Sequence, residues 1–527
     1  MFPALPGVVT RQLPKVLGPL GLSGVPPIRS LISRAVINQF GYATTLRPRA
    51  LSLAADYTSW RSLTDRTFSG RHLPPATAQE QAALPPEADV VSLYRRERMI
   101  PSTDTSVMFM FFAQWFTDSF LRTSLTDWRK NESNHEIDLC QIYGVNSDKT
   151  ELLRSHEGGR LKSQLIDGEE YPAFYFEPRG AGGALVVKPE FAPLHDPGFI
   201  TDVILRSAPE AQKDTFFAVG LEHGNSTIGN TIMNVVCLRE HNRLAGILAG
   251  EHPEWDDDRV FETTRNVMIV LLLKLVVEEY ITHIGPFDFA VEAVPFIADE
   301  ERWNRTNWCA VEFNLLYRWH PLVPDTIGSG PSQLASTEFR NNNPLVIAEG
   351  IEALMALCSQ EAAGAITLLN TPKFLVDSSS PQWPSVEEVT VSLMRKARLR
   401  SFNDYREAYG LRRLTSFEEL TGKAELQQRL EALYGHIDKL EWYVGIFAED
   451  TPDYMMMGEL MTYMVANDAF TQALTNPLLA RNVFNEATFS KTGMNVIART
   501  RSLEQIVARN ASKPGAVHVS FQRKSRP

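Results

Sequence analysis

The chain is 527 residues long and 44% hydrophobic, with a formal net charge of −11. That length allows about three domains or one large enzyme domain, and the composition excludes a disordered, collagenous or coiled-coil chain. The acidic balance argues against nucleic acid as the main partner, and four scattered cysteines without a CxxC pair (Cys140, Cys237, Cys309, Cys358) point to neither a disulfide framework nor a zinc site.

The charge is unevenly placed. Residues 1–55 hold Arg11, Lys15, Arg29, Arg34, Arg47 and Arg49 and no acid, the first being Asp56. Within them, Pro and Gly punctuate short helical pieces, the last being VPPIRSLISRAVINQF. There Ile28, Leu31, Ile32 and Val36 fall at helical spacing beside Arg29 and Arg34. Such a basic amphipathic stretch either lies in a membrane interface or packs as an N-terminal arm on the body. The stretch lacks a secretory pattern, and no run of 18 apolar residues occurs. The expected location is intracellular, either cytoplasmic or peripheral on a membrane.

Residues 74–90 read as a proline-flanked connector, and 91–124 as helical. ALVVKP (184–189) is the best strand, and the segments 231–252, 259–285 and 306–320 are strong helices. Helical pieces recur to about 508. The predicted class is mainly α, with a frayed basic tail over 511–527.

The chain has no GxGxxG, P-loop, HExxH or GxSxG in a useful context, so nucleotide, zincin and serine-hydrolase chemistries lack support. Two constellations remain. In LLYRWHP, Tyr317 and His320 stand three apart at a helix end, a spacing that puts both on nearly one face. In FFAQWFTDSF, Gln114 and Asp118 fall at i and i+4 within an aromatic segment, where buried polar groups cost free energy unless paired or used.

From about residue 42 to 510 the sequence resembles the cyclooxygenase branch of the animal haem peroxidase superfamily, the prostaglandin endoperoxide synthases and related haem fatty-acid dioxygenases. The resemblance is carried by DYTSWRSLTDRTFSGRHLPP, LYRRERMIPSTDTSVMFMFFAQWFT, LREHNRLAGILAGEHPEWDDDRVFETTR, AVEFNLLYRWHPLVPD and RSFNDYREAYGLRRLTSFEEL. It implies a helical haem peroxidase catalytic domain over 51–510, preceded over 1–50 by an amphipathic monotopic membrane-binding segment, with haem b (iron) as cofactor. His320 falls on the proximal iron ligand, and Tyr317 on the tyrosine whose radical takes hydrogen from substrate. Trp319, Asn314 and Arg318 fall on the proximal haem side. A homodimer is implied as well.

Several positions depart from that pattern. Gln114 is kept, but the distal histidine is replaced by Asp118. A carboxylate can shuttle a proton only if burial tunes its pKa. His223, sixteen residues before Arg239, offers a relocated distal base. In the substrate channel, Tyr280 and Ile281 are kept. Phe287 stands at a carboxylate-binding tyrosine position, and Gly41 at the arginine position by ungapped counting, where Arg34, Arg47 or Arg49 could substitute. Thr471 lies near an oxygenation-tuning serine.

The leading expectation is a haem-dependent, cyclooxygenase-like dioxygenase. Its tyrosyl radical would abstract hydrogen from an apolar or lipid-like substrate such as a fatty acid, before O2 adds. The alternatives are a haem peroxidase or peroxygenase that uses peroxide on a small metabolite through a remodelled distal site, and a non-enzymatic haem-binding protein.

Overall fold

The computed structural model describes residues 25–44, 51–179, 183–285, 289, 291–330, 333–378, 383–452, 455–512, 515 and 517–523. Helices dominate. The described strands form four short antiparallel pairs, among them Pro101–Ser106 with Ala362–Gly364 and the hairpin Ser163–Ile166/Glu169–Pro172. In that hairpin Asp167 and Gly168 both adopt positive φ, as a two-residue Asp-Gly turn requires.

The principal helices are labelled in chain order: α1 (Pro26–Gly41), α2 (Val107–Thr117), α3 (Ile228–Glu251), α4 (Asp257–Leu275), α5 (Val311–Leu316), α6 (Val386–Lys396), α7 (Glu459–Leu474) and α8 (Glu486–Arg499). Nearly every side chain of α2 is buried, in keeping with its aromatic sequence. Trp115 Nε1 donates to Asn234 Oδ1 of α3 at 2.8 Å. Gly229 of α3 lies against the Phe111 ring so closely that a Cβ there would fall 2.2 Å from Phe111 Cγ. Helix α4 continues through a π-helical turn, Val276–Tyr280, and this irregularity carries Tyr280. Buried apolar side chains from Ile32 to Phe521 form one cluster.

Helix α1 forms where predicted, with Pro26 in its first turn. Its apolar face does not lie open to a lipid interface. Ile32, Val36, Ile37 and Phe40 are buried, and Phe40 meets Tyr463 edge-on. Asn467 Nδ2 of α7 donates to the Phe40 carbonyl, and Arg29 pairs with Glu292. Of the four periodic apolar residues, Ile28 is half-buried and Leu31 stays exposed. Among the described residues no helix is long and apolar enough to cross a membrane.

Several predicted elements need correction. The 74–90 connector contains two short helices, Ala78–Ala82 and Glu87–Ser92, the first closed by a Thr77–Glu80 capping box. Residues 93–106 are not helical. The Ser/Thr/Asp run after Pro101 pairs as a strand, and Ser106 then caps α2. The 184–189 segment makes a single bridge, Phe176 to Val187, instead of a strand. The helix expected over 306–320 is confined to α5: Pro321 disfavours α-helical geometry at His320, which instead opens a 3-10 turn. Of the tail, the described residues 517–523 are not frayed. Val519 and Phe521 are buried, Ser106 N and Oγ donate to the Phe521 and Ser520 carbonyls, and Phe521 packs on Phe112 at 4.8 Å.

Candidate active site

One cavity of about 460 Å3 brings together the two predicted constellations. Gln114, Thr117 and Asp118 line it from the end of α2, Ser226 and Thr227 from the loop before α3, and Asn314, Tyr317, Arg318, Trp319 and His320 from α5 and the segment that follows. Phe374 and Val386, both exposed, stand at its rim together with the exposed Arg340.

His320 sits at the start of a short 3-10 turn. Its Nδ1 is 2.8 Å from Glu387 Oε1. A carboxylate can only accept, so Nδ1 carries the proton and Nε2 is the nitrogen left to bind a metal. Tyr317 caps the C-terminus of α5 with φ −93° and ψ 8°. Its ring packs on Trp319 at 4.8 Å and edge-on to Phe313 at 5.3 Å. Burial pushes its phenol well above the usual tyrosine range, so the hydroxyl is protonated. The break in the helix thus takes over the role expected of helical spacing, since both Tyr317 and His320 reach the same cavity.

On the opposing wall, Asp118 Oδ2 accepts from Asn230 Nδ2 at 2.9 Å. Burial pushes its carboxyl up to about 6, while the Asn230 hydrogen bond and the Arg122 cation restrain the rise. Gln114 is exposed to the cavity, with Thr227 Oγ1 at 3.4 Å from its Oε1. Asn314 Nδ2 donates to the Leu121 carbonyl. Arg318 is tied to Asn314 Oδ1 and Thr390 Oγ1.

His223 is not brought to this cavity. It packs edge-on against Phe199 at 6.1 Å, while Ser226 and Thr227 of the same loop line the cavity instead. Burial and the nearby Arg122 lower its pKa, which favours the neutral ring. Tyr280, Ile281 and Thr471 are buried and do not line the cavity. Phe287, Arg47 and Arg49 lie outside the described residues. Gly41 is buried at the end of α1, pressed against the Trp303 indole. Sequence reasoning missed Glu387, Asn230 and Arg340. Asn230 had a local signal, the Thr227 N-cap three residues earlier.

The donor set fits a haem. His320 offers one imidazole nitrogen with its other nitrogen fixed, in the manner of ligating histidines. The buried Trp319 Nε1 lacks a hydrogen-bond partner among the described residues. Arg318 and Arg340 supply positive charge for carboxylates on a bound group. The cavity volume lies in the range of cofactor sites.

A mainly helical body and a His-anchored cavity facing a Gln/Asp wall define a haem-binding oxidoreductase class. Residues 126–521 match the animal haem peroxidase family model, and the chain belongs to that family, whose members are haem-dependent oxidoreductases. It is 32% identical over 488 residues to prostaglandin G/H synthase 1 of Rattus norvegicus, spanning 90% of this chain and 76% of that one. It is 30% identical over 513 residues to prostaglandin G/H synthase 2 of Oryctolagus cuniculus, spanning 95% and 79%. In fold it is similar to a fatty acid alpha-dioxygenase of Oryza sativa solved with palmitic acid, with TM-score 0.69, 15% identity and coverage of 98% and 96%. It is also similar to peroxidase A of Dictyostelium discoideum, with TM-score 0.70, 18% identity and coverage of 87% and 96%.

Proposed function

We propose that the protein is a haem-dependent dioxygenase of apolar, lipid-like substrates, fatty acids foremost, and that Tyr317 is its hydrogen-abstracting residue. The observation that carries this reading is the single cavity lined by Gln114, Asp118, Tyr317 and His320. The names of the relatives, prostaglandin synthases and a fatty acid dioxygenase, support the substrate class.

When bound, haem would supply peroxide activation and the one-electron oxidation of a nearby phenol. His320 would hold the group through Nε2. Asp118 takes and returns a proton at Oδ1 or Oδ2, which a carboxyl poised near pH 6 can do at neutral pH. Asn230 fixes that carboxyl, and Gln114 presents a polar amide beside it. Tyr317, buried and neutral, would pass its electron and proton together to the peroxide-oxidised haem, because a phenolate is disfavoured there. The phenoxyl takes a hydrogen atom from a substrate carbon and becomes a phenol again. O2 adds to the carbon radical, and the resulting peroxyl recovers hydrogen from Tyr317.

The exposed Val25, just before α1, and Leu31 of α1 are the apolar residues that would meet a lipid surface. A homodimer belongs to the same reading. Tyr317→Phe tests the assignment: oxygenated product disappears while the haem spectrum is unchanged. Product formation at the wild-type rate in that variant would sink it. The exposed apolar rim of Phe374 and Val386 favours a second reading, direct oxidation of a small apolar molecule at the cavity mouth.

A further inference from the structure

We propose that Glu387 is a positioning residue that fixes His320 as the haem ligand and places a carboxyl acceptor behind it. This rests on the reading of His320 as that ligand.

Glu387 lies 67 residues after His320, on the first turn of α6, and its side chain is fully buried. Its Oε1 receives the His320 Nδ1 proton at 2.8 Å and a second donor, Thr371 Oγ1, at 3.2 Å. Its Oε2 is buried and has no hydrogen-bond partner among the described residues. Among those residues the ion pair it makes is with His320, not with an arginine or lysine. A buried carboxylate is expensive without a partner. Here three features lower the cost, the imidazole N–H, the Thr371 hydroxyl and the partial positive charge at the N-terminus of an eleven-residue helix.

The electronic consequence follows from the acceptor's charge. An imidazole that donates to a carboxylate has a more basic second nitrogen than one that donates to a neutral amide or carbonyl. Nε2 of His320 is therefore a strong electron donor. A bond from it to a bound iron would be stiffened, and the ferric state would be favoured over the ferrous. Donation from this side also suits a distal wall built on Asp118 instead of an imidazole. The same contact fixes the ring. With Nδ1 bound and Pro321 restricting the backbone, the imidazole cannot turn away from the cavity.

A purely structural role would leave the metal's electronics untouched, so the test reads the metal directly. In haem-loaded, ferrous protein, Glu387→Gln shifts the iron–histidine stretch in resonance Raman to lower frequency and raises the ferric/ferrous potential. Glu387→Asp lies between Gln and wild type. An unchanged stretch and potential in Glu387→Gln overturn the proposal. Loss of the ligand reading looks different, since the stretch would then persist in His320→Gly.

A second measurement covers a Glu387 variant that fails to fold. His320→Gly protein is titrated with imidazole and with 1-methylimidazole, followed by the haem absorption. Imidazole keeps an N–H for Glu387, whereas the methylated ring leaves the buried carboxylate unpaired. Imidazole binds about tenfold or more tightly, the cost of one unsatisfied buried charged group. Equal affinity overturns the proposal.

Discussion

Replacing Asp118 by Asn should stabilise the haem-free protein, and only at neutral and higher pH. Burial pushes the Asp118 carboxyl from its ordinary 3.8 up to about 6. Between those two values the folded chain keeps a proton that the unfolded chain has released. The ionised carboxylate is therefore a liability to the fold above pH 6, and that liability vanishes as the pH falls to about 4. A shift of roughly two pH units corresponds to about 3 kcal/mol at most. Asn keeps an oxygen to accept from Asn230 and removes the charge. For a chain of this length a gain of about 3 kcal/mol raises the melting temperature by about 3 °C. The assay is calorimetry or urea unfolding of both proteins at pH 8 and pH 4. The expected result is a gain at pH 8 and none at pH 4. A variant that is less stable at both pH values, or equally stabilised at both, would refute the burial argument.

Three further outcomes follow from the same geometry. Asn230→Ala removes the hydrogen bond that restrains Asp118, so the acid limb of the pH–rate profile for peroxide consumption moves above about 6; an unmoved or lowered limb contradicts the pairing. Gly229→Ala forces a Cβ into the Phe111 ring and should cost about 1–3 kcal/mol in urea unfolding, whereas a neutral effect would mean that α2 and α3 are not in contact. His320→Ala abolishes the haem Soret band or changes its position; an identical spectrum removes His320 from the site.

The class of fold was legible because long apolar-rich segments such as 231–252 can only be helices, and α3 forms within three residues of that prediction. Tyr317, His320, Gln114 and Asp118 were legible as two local clusters, and the fold brings both to one cavity. Glu387 was not, because nothing in its local sequence distinguishes a helix-opening glutamate from a solvated one; its meaning lies in a contact 67 residues away. His223 misled for the complementary reason. Its spacing to Arg239 is a sequence fact, but the loop turns its ring onto Phe199. The amphipathic pattern of α1 was read correctly as an apolar face, yet sequence alone does not say whether lipid or protein covers it, and here Tyr463 and Phe470 of α7 do.

The central claim is that the cavity supports oxygen addition to an apolar substrate. Its most direct test is incubation of haem-loaded protein with a panel of fatty acids under isotopically labelled O2, read by mass spectrometry. The account predicts a product carrying both atoms of one labelled O2 molecule, formed by the wild type and not by Tyr317→Phe. Oxidation of a chromogenic reductant by peroxide, with no labelled oxygen in any lipid, would contradict it.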